Sequence, residues 1–203
     1  SFDYDFQVIN RAGMYWFHPH PHQLTGPQVY YGLAGLFIVS DEEEATLGLP
    51  AGEYDLPLVI QDRVFDSQNQ MVYLANGMMD SMTGFLGDTI LVNGAPNASM
   101  DVKASAYRLR LLNGSNSRIY KLAWQDGTPL TVMGGGMMGG SGLPNGSPLD
   151  IVSLRIGEKG ADVTPLPSQL STIERHNAND AVNQNNPRSF TLAMQGMVHT
   201  INN

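Results

Sequence analysis

Three histidines at every second position, within residues 13–23 (GMYWFHPHPHQ), are the feature that most constrains how this chain folds. Successive side chains of an extended strand point to opposite faces, so in a strand His18, His20 and His22 share one face with Trp16. The prolines between them have no N–H to donate to a neighbouring strand, which places the segment at a strand end or on a sheet edge. Imidazoles that converge at an open edge suit a metal ion.

The composition narrows the possible chemistry. With 203 residues and 42% hydrophobic content, the chain has enough apolar side chains for a sizeable core. The formal net charge is −8, and residues 1–100 hold only two basic side chains, Arg11 and Arg63, which argues against nucleic acid as a partner of the histidine-bearing half. No apolar run is long enough for a membrane span, and residues 1–25 lack the pattern of a signal peptide.

The absence of cysteine restricts the metal sites that the chain can build. Disulfides, thiolate zinc sites, cysteine nucleophiles and blue copper sites are all excluded, because each requires a thiol or thiolate. A metal must therefore be held by histidine, carboxylate or methionine side chains.

The first part of the chain predicts three strands. Residues 1–9 alternate aromatic and acidic side chains, the histidine segment follows, and the mostly apolar residues 33–40 predict a strand buried on both faces. Residues 26–31 predict a loop. The acidic residues 41–44 and the Gly/Pro-containing residues 47–52 predict a solvated connector and a domain boundary.

A second set of short strands follows the connector. Residues 107–112 alternate apolar side chains with Arg108 and Arg110, which predicts a strand with the two arginines on its solvent side. Asn-Gly and Asp-Gly pairs are strong turn signals and occur at positions 93–94, 113–114 and 126–127. The strands are predicted within residues 55–65, 71–74, 87–94, 107–114, 119–127 and 129–133. Six short strands with such turns predict an all-β, Greek-key β-sandwich with almost no helix.

The last third of the chain is less regular. Residues 133–146 are glycine-rich and predict a flexible linker or loop, and residues 163–170 are proline-rich and predict an extended connector. A strand is predicted at residues 150–156, and residues 174–187 predict a polar loop with a short helical turn. Two strand-like pieces close the chain, at residues 190–194 and 198–201, with nothing after them to pair with.

Several segments together resemble a known family. WFHPHPHQLTGPQVYYGLAGLFIVSDEE is similar to the second histidine motif of the multicopper oxidases, the laccase-like family that includes bacterial copper-tolerance oxidases. LPLVIQDRVF, GDTILVNG, YRLRLLNGSNSRIYKLAWQDGTPLTV and RSFTLAMQGM resemble later segments of the same family, in the same order. The resemblance implies three cupredoxin domains, a type 1 copper that accepts electrons from a substrate, and a trinuclear copper cluster that reduces dioxygen to water.

The resemblance also implies how the chain is divided. Residues 1–45 correspond to the C-terminal part of the first cupredoxin domain. Residues 55–157 correspond to the second domain, with strands missing near residues 133–146, and residues 158–203 to a linker and the start of the third. The implied fold is a cupredoxin-like Greek-key β-sandwich that is incomplete at both ends, and the implied location is the periplasm or the outside of the cell.

Individual residues carry the implied copper site. His18 and His20 match the HxH pair of the family's second motif, in which each histidine binds one of two type 3 coppers, whereas His22 matches a position that is not a ligand. His176 and His199 stand alone without HxH spacing, so the resemblance implies that most copper ligands are missing here. We therefore expect a fragment that supplies one type 3 histidine pair, has no catalytic side chain of its own and is inactive alone. Its implied partners in the full-length protein are dioxygen and a small reducing substrate: a phenol, an amine or a metal ion.

Other interpretations remain open on the sequence. The chain could be a non-catalytic copper-binding cupredoxin module, or His18, His20 and His22 could bind zinc and activate a water molecule for hydrolysis. Thioether side chains favour Cu(I), although methionine is more often a core residue. Two methionine clusters suggest such a cuprous site: Met78, Met79 and Met82, and Met133, Met137 and Met138.

Overall fold

The computed structural model describes residues 3–128, 130, 151–162, 165–171, 177–180 and 185, together with the backbone of two strands near the C-terminus. Among these residues the regular structure is mostly β with a few short helices, which confirms the all-β prediction. Two compact units divide the chain, Ser1–Leu170 and Ser171–Asn203. The assignment of three cupredoxin domains stays a prediction.

The first unit contains three short α-helices and eight strands among its described residues. The helices are α1 (Thr25–Tyr30), α2 (Glu42–Ala45) and α3 (Met78–Thr83), and a 3₁₀ turn spans Gly52–Tyr54. The strands are β1 (Gly13–Phe17), β2 (Gly35–Val39), β3 (Asp55–Arg63), β4 (Thr89–Val92), β5 (Ala95–Pro96), β6 (Ser99–Ala104), β7 (Arg108–Asn113) and β8 (Ser153–Lys159).

A two-stranded antiparallel ribbon, β1 with β2, carries the start of the histidine segment. The predicted strand at residues 1–9 is wrong for its described part, because residues 3–9 form no strand and are exposed. The prediction that residues 33–40 are buried on both faces is also wrong, since Phe37 and Ile38 are more than one-third exposed. Among the described strands β2 pairs only with β1.

The predicted loop at residues 26–31 is wrong as well, because most of it lies in helix α1. Gly26 and Pro27 are residues typical of turns, which is why a loop was predicted. Proline is nevertheless tolerated in the first turn of a helix, because the N–H that it lacks has no partner within the helix there. Val29 and Tyr30 are the buried residues of this helix, which shows that its C-terminal end faces the core.

The core lies between a four-stranded sheet and the pair β6–β8. The sheet has the order β5-β4-β3-β7, with β3 antiparallel to β4 and parallel to β7, and β6 is parallel to β8. Leu58, Ile60 and Val92 form the buried centre, and Met100 on β6 packs against them. The sequence analysis did not predict strand β6. The predicted strand at residues 119–127 is wrong, because these residues form no strand.

The Asn93-Gly94 turn between β4 and β5 is confirmed. Both residues have positive φ, 50° and 81°, as a tight hairpin turn requires. Asn93 also joins this turn to β3, because its Oδ1 accepts a hydrogen bond from the Val59 N–H at 2.8 Å and its Nδ2 donates to the Pro57 carbonyl at 3.0 Å.

The acidic residues 41–44 were predicted to be a solvated connector, and the structure corrects this. Asp41 caps helix α2 by accepting the Glu44 N–H at 2.8 Å, and acidic side chains in the first turn suit the helix dipole. Glu44 is largely buried and pairs with Arg108 at 2.6 Å. Arg110 is buried and makes a bidentate ion pair with Asp55, with contacts of 2.7–3.0 Å. The two arginines therefore do not form a solvent face of β7.

The second unit contains a hairpin that the sequence analysis did not predict. Strands β9 (Leu192–Gln195) and β10 (Val198–Ile201) pair antiparallel with each other, so these pieces do have a partner. A 3₁₀ turn at Ala178–Asp180 agrees with the short helical turn predicted within residues 174–187. The glycine-rich segment, residues 133–146, lies outside the described residues. No helix in the described part of the chain is long and apolar enough to cross a membrane.

Candidate metal centre

The histidine segment forms a loop between β1 and α1. Strand β1 ends at Phe17, so the predicted strand geometry does not extend through the histidines. His18 is half-buried, and its ring stacks on the indole of Trp16 with centroids 4.3 Å apart and an interplanar angle of 23°. The rings of His18 and His20 are 5.0 Å apart, centroid to centroid, and tilted by 39°. The loop thus brings two imidazoles side by side.

A backbone contact fixes the tautomer of His18. Its Nδ1 lies 2.9 Å from the carbonyl oxygen of Pro19. A carbonyl oxygen can only accept a hydrogen bond, so Nδ1 carries the proton and Nε2 of the neutral ring keeps its lone pair. The same arrangement, with one ring nitrogen donating to a carbonyl and the other binding the ion, is common among histidines that ligate metals in proteins.

His22 does not join this pair. It is exposed and lies in the turn that leads into α1. Within the described part of the chain, no group of three or more histidine, cysteine, aspartate or glutamate side chains is arranged to hold a metal ion. The zinc alternative needs His18, His20 and His22 around one ion, and the structure does not assemble them. His176 and the side chain of His199 lie outside the described residues.

Tyr30 attaches the C-terminal end of the histidine loop to the sandwich. Its side chain is fully buried at the end of α1, and its hydroxyl accepts the Val64 N–H at 3.1 Å and donates to the Val72 carbonyl at 2.8 Å. The guanidinium of Arg63 lies 4.7 Å from the centroid of its ring. Burial raises the pKa of the Tyr30 hydroxyl and lowers that of the Arg63 guanidinium. The sequence analysis did not single out Tyr30, because a lone tyrosine within a predicted loop carries no signal of burial.

The NGSNSR segment after β7 provides a second attachment. Asn116 Nδ2 donates to the Gly26 carbonyl at the start of α1, at 2.8 Å. Two residues later, Arg118 Nε donates to the buried carboxylate of Asp62 at 2.9 Å. The segment therefore connects helix α1 to strand β3, and with Tyr30 it holds one end of the histidine loop while the β1–β2 ribbon holds the other.

The methionines of helix α3 are not core residues. Met78, Met79 and Met82 are 78%, 64% and 68% exposed, whereas Asp80 of the same helix is buried and accepts the Asn76 N–H at 2.9 Å. The core alternative is therefore wrong for this cluster, and a cuprous site there stays a prediction. Met133, Met137 and Met138 lie outside the described residues.

The chemistry of the histidine pair fits copper. Imidazole is a good ligand for copper, which stands at the top of the affinity order of first-row divalent metals. His18 has its Nε2 lone pair available, and His20 is exposed beside it. Two imidazoles form part of a coordination sphere, so further ligands are needed to complete it.

The chain is similar to known proteins over most of its length. Residues 1–44 match the family model described as multicopper oxidase. The chain is 42% identical over 156 residues to "Cell division protein FtsP" of Sodalis glossinidius, covering 75% of this chain and 31% of the relative. It is 34% identical over 166 residues to "Laccase" of Bacillus subtilis, covering 77% of this chain and 31% of the relative. The chain thus spans about a third of the length of these curated relatives.

A solved structure shares the fold over nearly the whole chain. The McoA multicopper oxidase from the hyperthermophile Aquifex aeolicus aligns with a TM-score of 0.73 and 33% identity, covering 97% of this chain and 52% of that chain. The predicted cupredoxin-like class is confirmed by this similarity. From the matched family domain, the similar sequences and the shared fold, we conclude that this chain belongs to the multicopper oxidase family.

Proposed function

We propose that His18 and His20 are copper ligands in a multicopper oxidase that couples one-electron oxidation of a phenol, an amine or a metal ion to the reduction of dioxygen to water. The observation that carries the proposal is the contact between the two imidazoles, 5.0 Å apart, with the Pro19 carbonyl holding the proton of His18 on Nδ1. Family membership supports copper as the metal.

The roles of the two histidines follow from their surroundings. His18 is half-buried and the Pro19 carbonyl selects its tautomer, so the neutral ring presents the lone pair of Nε2 to an ion. His20 is exposed and can adjust its ring to an ion held by His18. Bound copper supplies the one-electron redox chemistry. The remaining ligands come from outside the described residues, and we propose the periplasm or the outside of the cell as the location, as in the family that the chain resembles.

Copper binding to the purified chain tests the proposal. Cu(II) is titrated in competition with a chelator of known affinity, for the chain and for His18→Ala, His20→Ala and His22→Ala. Loss of a hydrogen-bond partner of a ligand already costs about 10–100-fold in metal affinity, so loss of either proposed ligand is expected to cost about tenfold or more. His22→Ala is the matched control, because it removes an exposed histidine of the same loop. Equal affinity for all four proteins would contradict the proposal.

Similarity to FtsP favours a second candidate, a non-catalytic cupredoxin module that acts in cell division. An experiment in cells distinguishes the two candidates. The chromosomal gene for this protein is changed to carry both His18→Ala and His20→Ala. Loss of copper-dependent oxidase activity with normal cell division supports the oxidase. If deletion of the gene causes a division defect and the double variant restores normal division, the non-catalytic module is supported.

A further inference from the structure

The indole of Trp16 lies against a proposed copper ligand rather than in the core. Trp16 is 49% exposed, an unusual position for the largest apolar side chain, and its described ring contact is the stacked imidazole of His18 at 4.3 Å. Trp16 belongs to β1 and pairs in register with Leu36 of β2, so its backbone is fixed by the ribbon. The indole therefore covers one face of the His18 ring from a strand whose backbone is held by pairing.

Two independent contacts restrict the His18 ring. Trp16 sets the plane of the imidazole through stacking, and the Pro19 carbonyl sets its tautomer through Nδ1. His20 has neither constraint, since its ring is exposed and the described residues give it no hydrogen bond. The two histidines are therefore unequal: Trp16 and the Pro19 carbonyl restrict the His18 ring, whereas the described ring contact of His20 is with His18.

We propose that Trp16 is a positioning residue that holds the His18 imidazole in its metal-binding orientation. This inference rests on the proposed function, because it assumes that His18 is a ligand. Ordering a ligand side chain in advance lowers the entropy cost of binding, and the stacked indole does so at the solvent-exposed end of β1. Removing the indole then weakens metal binding without removing any donor atom.

The two tryptophans of the chain give a matched pair of variants. Trp16 and Trp124 are similarly exposed, 49% and 41%, and only Trp16 contacts a histidine ring among the described residues. Cu(II) affinity is measured by chelator competition for Trp16→Leu, Trp16→Phe and Trp124→Leu. The free energy of aromatic stacking corresponds to about a two- to tenfold change in affinity. We therefore expect Trp16→Leu to bind Cu(II) about two- to tenfold more weakly than the original chain. Trp16→Phe is expected to recover most of the loss, and Trp124→Leu to bind like the original chain.

Two further readouts separate positioning from a general structural role. The urea midpoint of unfolding is expected to be equal for Trp16→Leu and Trp124→Leu, because both side chains are half-exposed. In the Trp124→Phe chain, which retains only Trp16, Cu(II) is expected to quench the indole fluorescence and Zn(II), which has a filled d shell, is not. Adding His18→Ala to that chain is expected to abolish the quenching.

The outcomes distinguish failure of this inference from failure of the proposed function. If Trp16→Leu binds Cu(II) as tightly as Trp124→Leu while His18→Ala and His20→Ala bind weakly, the histidines are ligands and the role of Trp16 is refuted. Equal weakening by both tryptophan variants also refutes it. If the histidine variants bind normally, the proposed copper site fails and the inference fails with it.

Discussion

Replacing Tyr30 with phenylalanine removes a single oxygen atom from the point where the histidine loop joins the sandwich. The ring is retained, so its packing against Tyr73 and Phe85, at centroid distances of 4.9 and 4.8 Å, is preserved. The contacts of the hydroxyl are lost: the hydrogen bond accepted from the Val64 N–H, the one donated to the Val72 carbonyl, and a longer contact with the Val64 carbonyl at 3.2 Å. The substitution therefore isolates the polar part of the attachment.

The expected cost follows from the burial of these groups. Tyr30 is fully buried, so water cannot replace the hydroxyl without rearrangement. A buried donor or acceptor left without a partner costs about 1–3 kcal/mol, and two backbone groups lose a partner, the Val64 N–H and the Val72 carbonyl. The free energy of unfolding is therefore expected to fall by about 2–6 kcal/mol. For a unit of this size, about 1 kcal/mol shifts the melting temperature by about 2–4 °C, so Tyr30→Phe is expected to melt roughly 4–24 °C lower.

Urea denaturation followed by tryptophan fluorescence measures this difference. Tyr31→Phe is the matched control, because Tyr31 adjoins Tyr30 but is 53% exposed, and it is expected to change stability by less than about 0.5 kcal/mol. Hydrogen exchange gives a second readout, since loss of the attachment should increase exchange in α1 before it does in β3. A Tyr30→Phe chain as stable as Tyr31→Phe would refute the claim that the hydroxyl anchors the loop.

Two further predictions concern helices α2 and α3. The pKa of Asp41 is lowered, first by the Glu44 N–H and then by the Ala12 N–H, so its stabilising effect is present above the ordinary Asp pKa of about 3.9 and is lost as the pH falls through the lowered value. Asp41→Asn keeps the helix cap but cannot titrate. As the pH falls from about 5 to about 2, the urea midpoint of this variant is expected to decrease less steeply than that of the control Asp3→Asn. Equal slopes for the two variants would contradict this prediction. The triple variant Met78→Leu, Met79→Leu and Met82→Leu is expected to bind Cu(I) about tenfold more weakly in a chelator competition, because thioethers favour Cu(I). Met14→Leu is its control, and unchanged Cu(I) affinity in the triple variant would reject the cuprous site.

The strands of the sandwich were the part of the fold that local patterns could predict. β3, β4 and β7 lie within predicted strands, and the Asn93-Gly94 turn forms where its residues require positive φ. These features depend on alternation and turn chemistry, which are properties of a few neighbouring residues. Residues 3–9 alternate aromatic and acidic side chains but form no strand, because alternation forms a strand only where a partner is available to pair with it.

The charged residues show why the remainder could not be predicted. Arg110 looks like a solvent-facing residue of a half-exposed strand, yet it is buried in an ion pair with Asp55 and lies 3.6 Å from Glu44. Glu44 lies 64 residues from Arg108, with which it also pairs. A local pattern indicates the polarity of a side chain but not the distant charged residue with which it pairs. An arginine is therefore predicted to be exposed when its partner is unknown.

The sequence by itself determined the kinds of ligand and the family. The alternating histidines, the absence of cysteine and the family motifs fix imidazole, carboxylate and thioether as the available donors. Only the tertiary structure decided how these donors are arranged: β1 ends before the histidines, the rings of His18 and His20 meet, and Trp16 and the Pro19 carbonyl hold the first of them. The physical reason is that ring stacking and hydrogen bonding depend on the backbone conformation after the strand ends. The helix that follows this loop is held by Tyr30 through contacts with residues more than 30 positions away in the sequence.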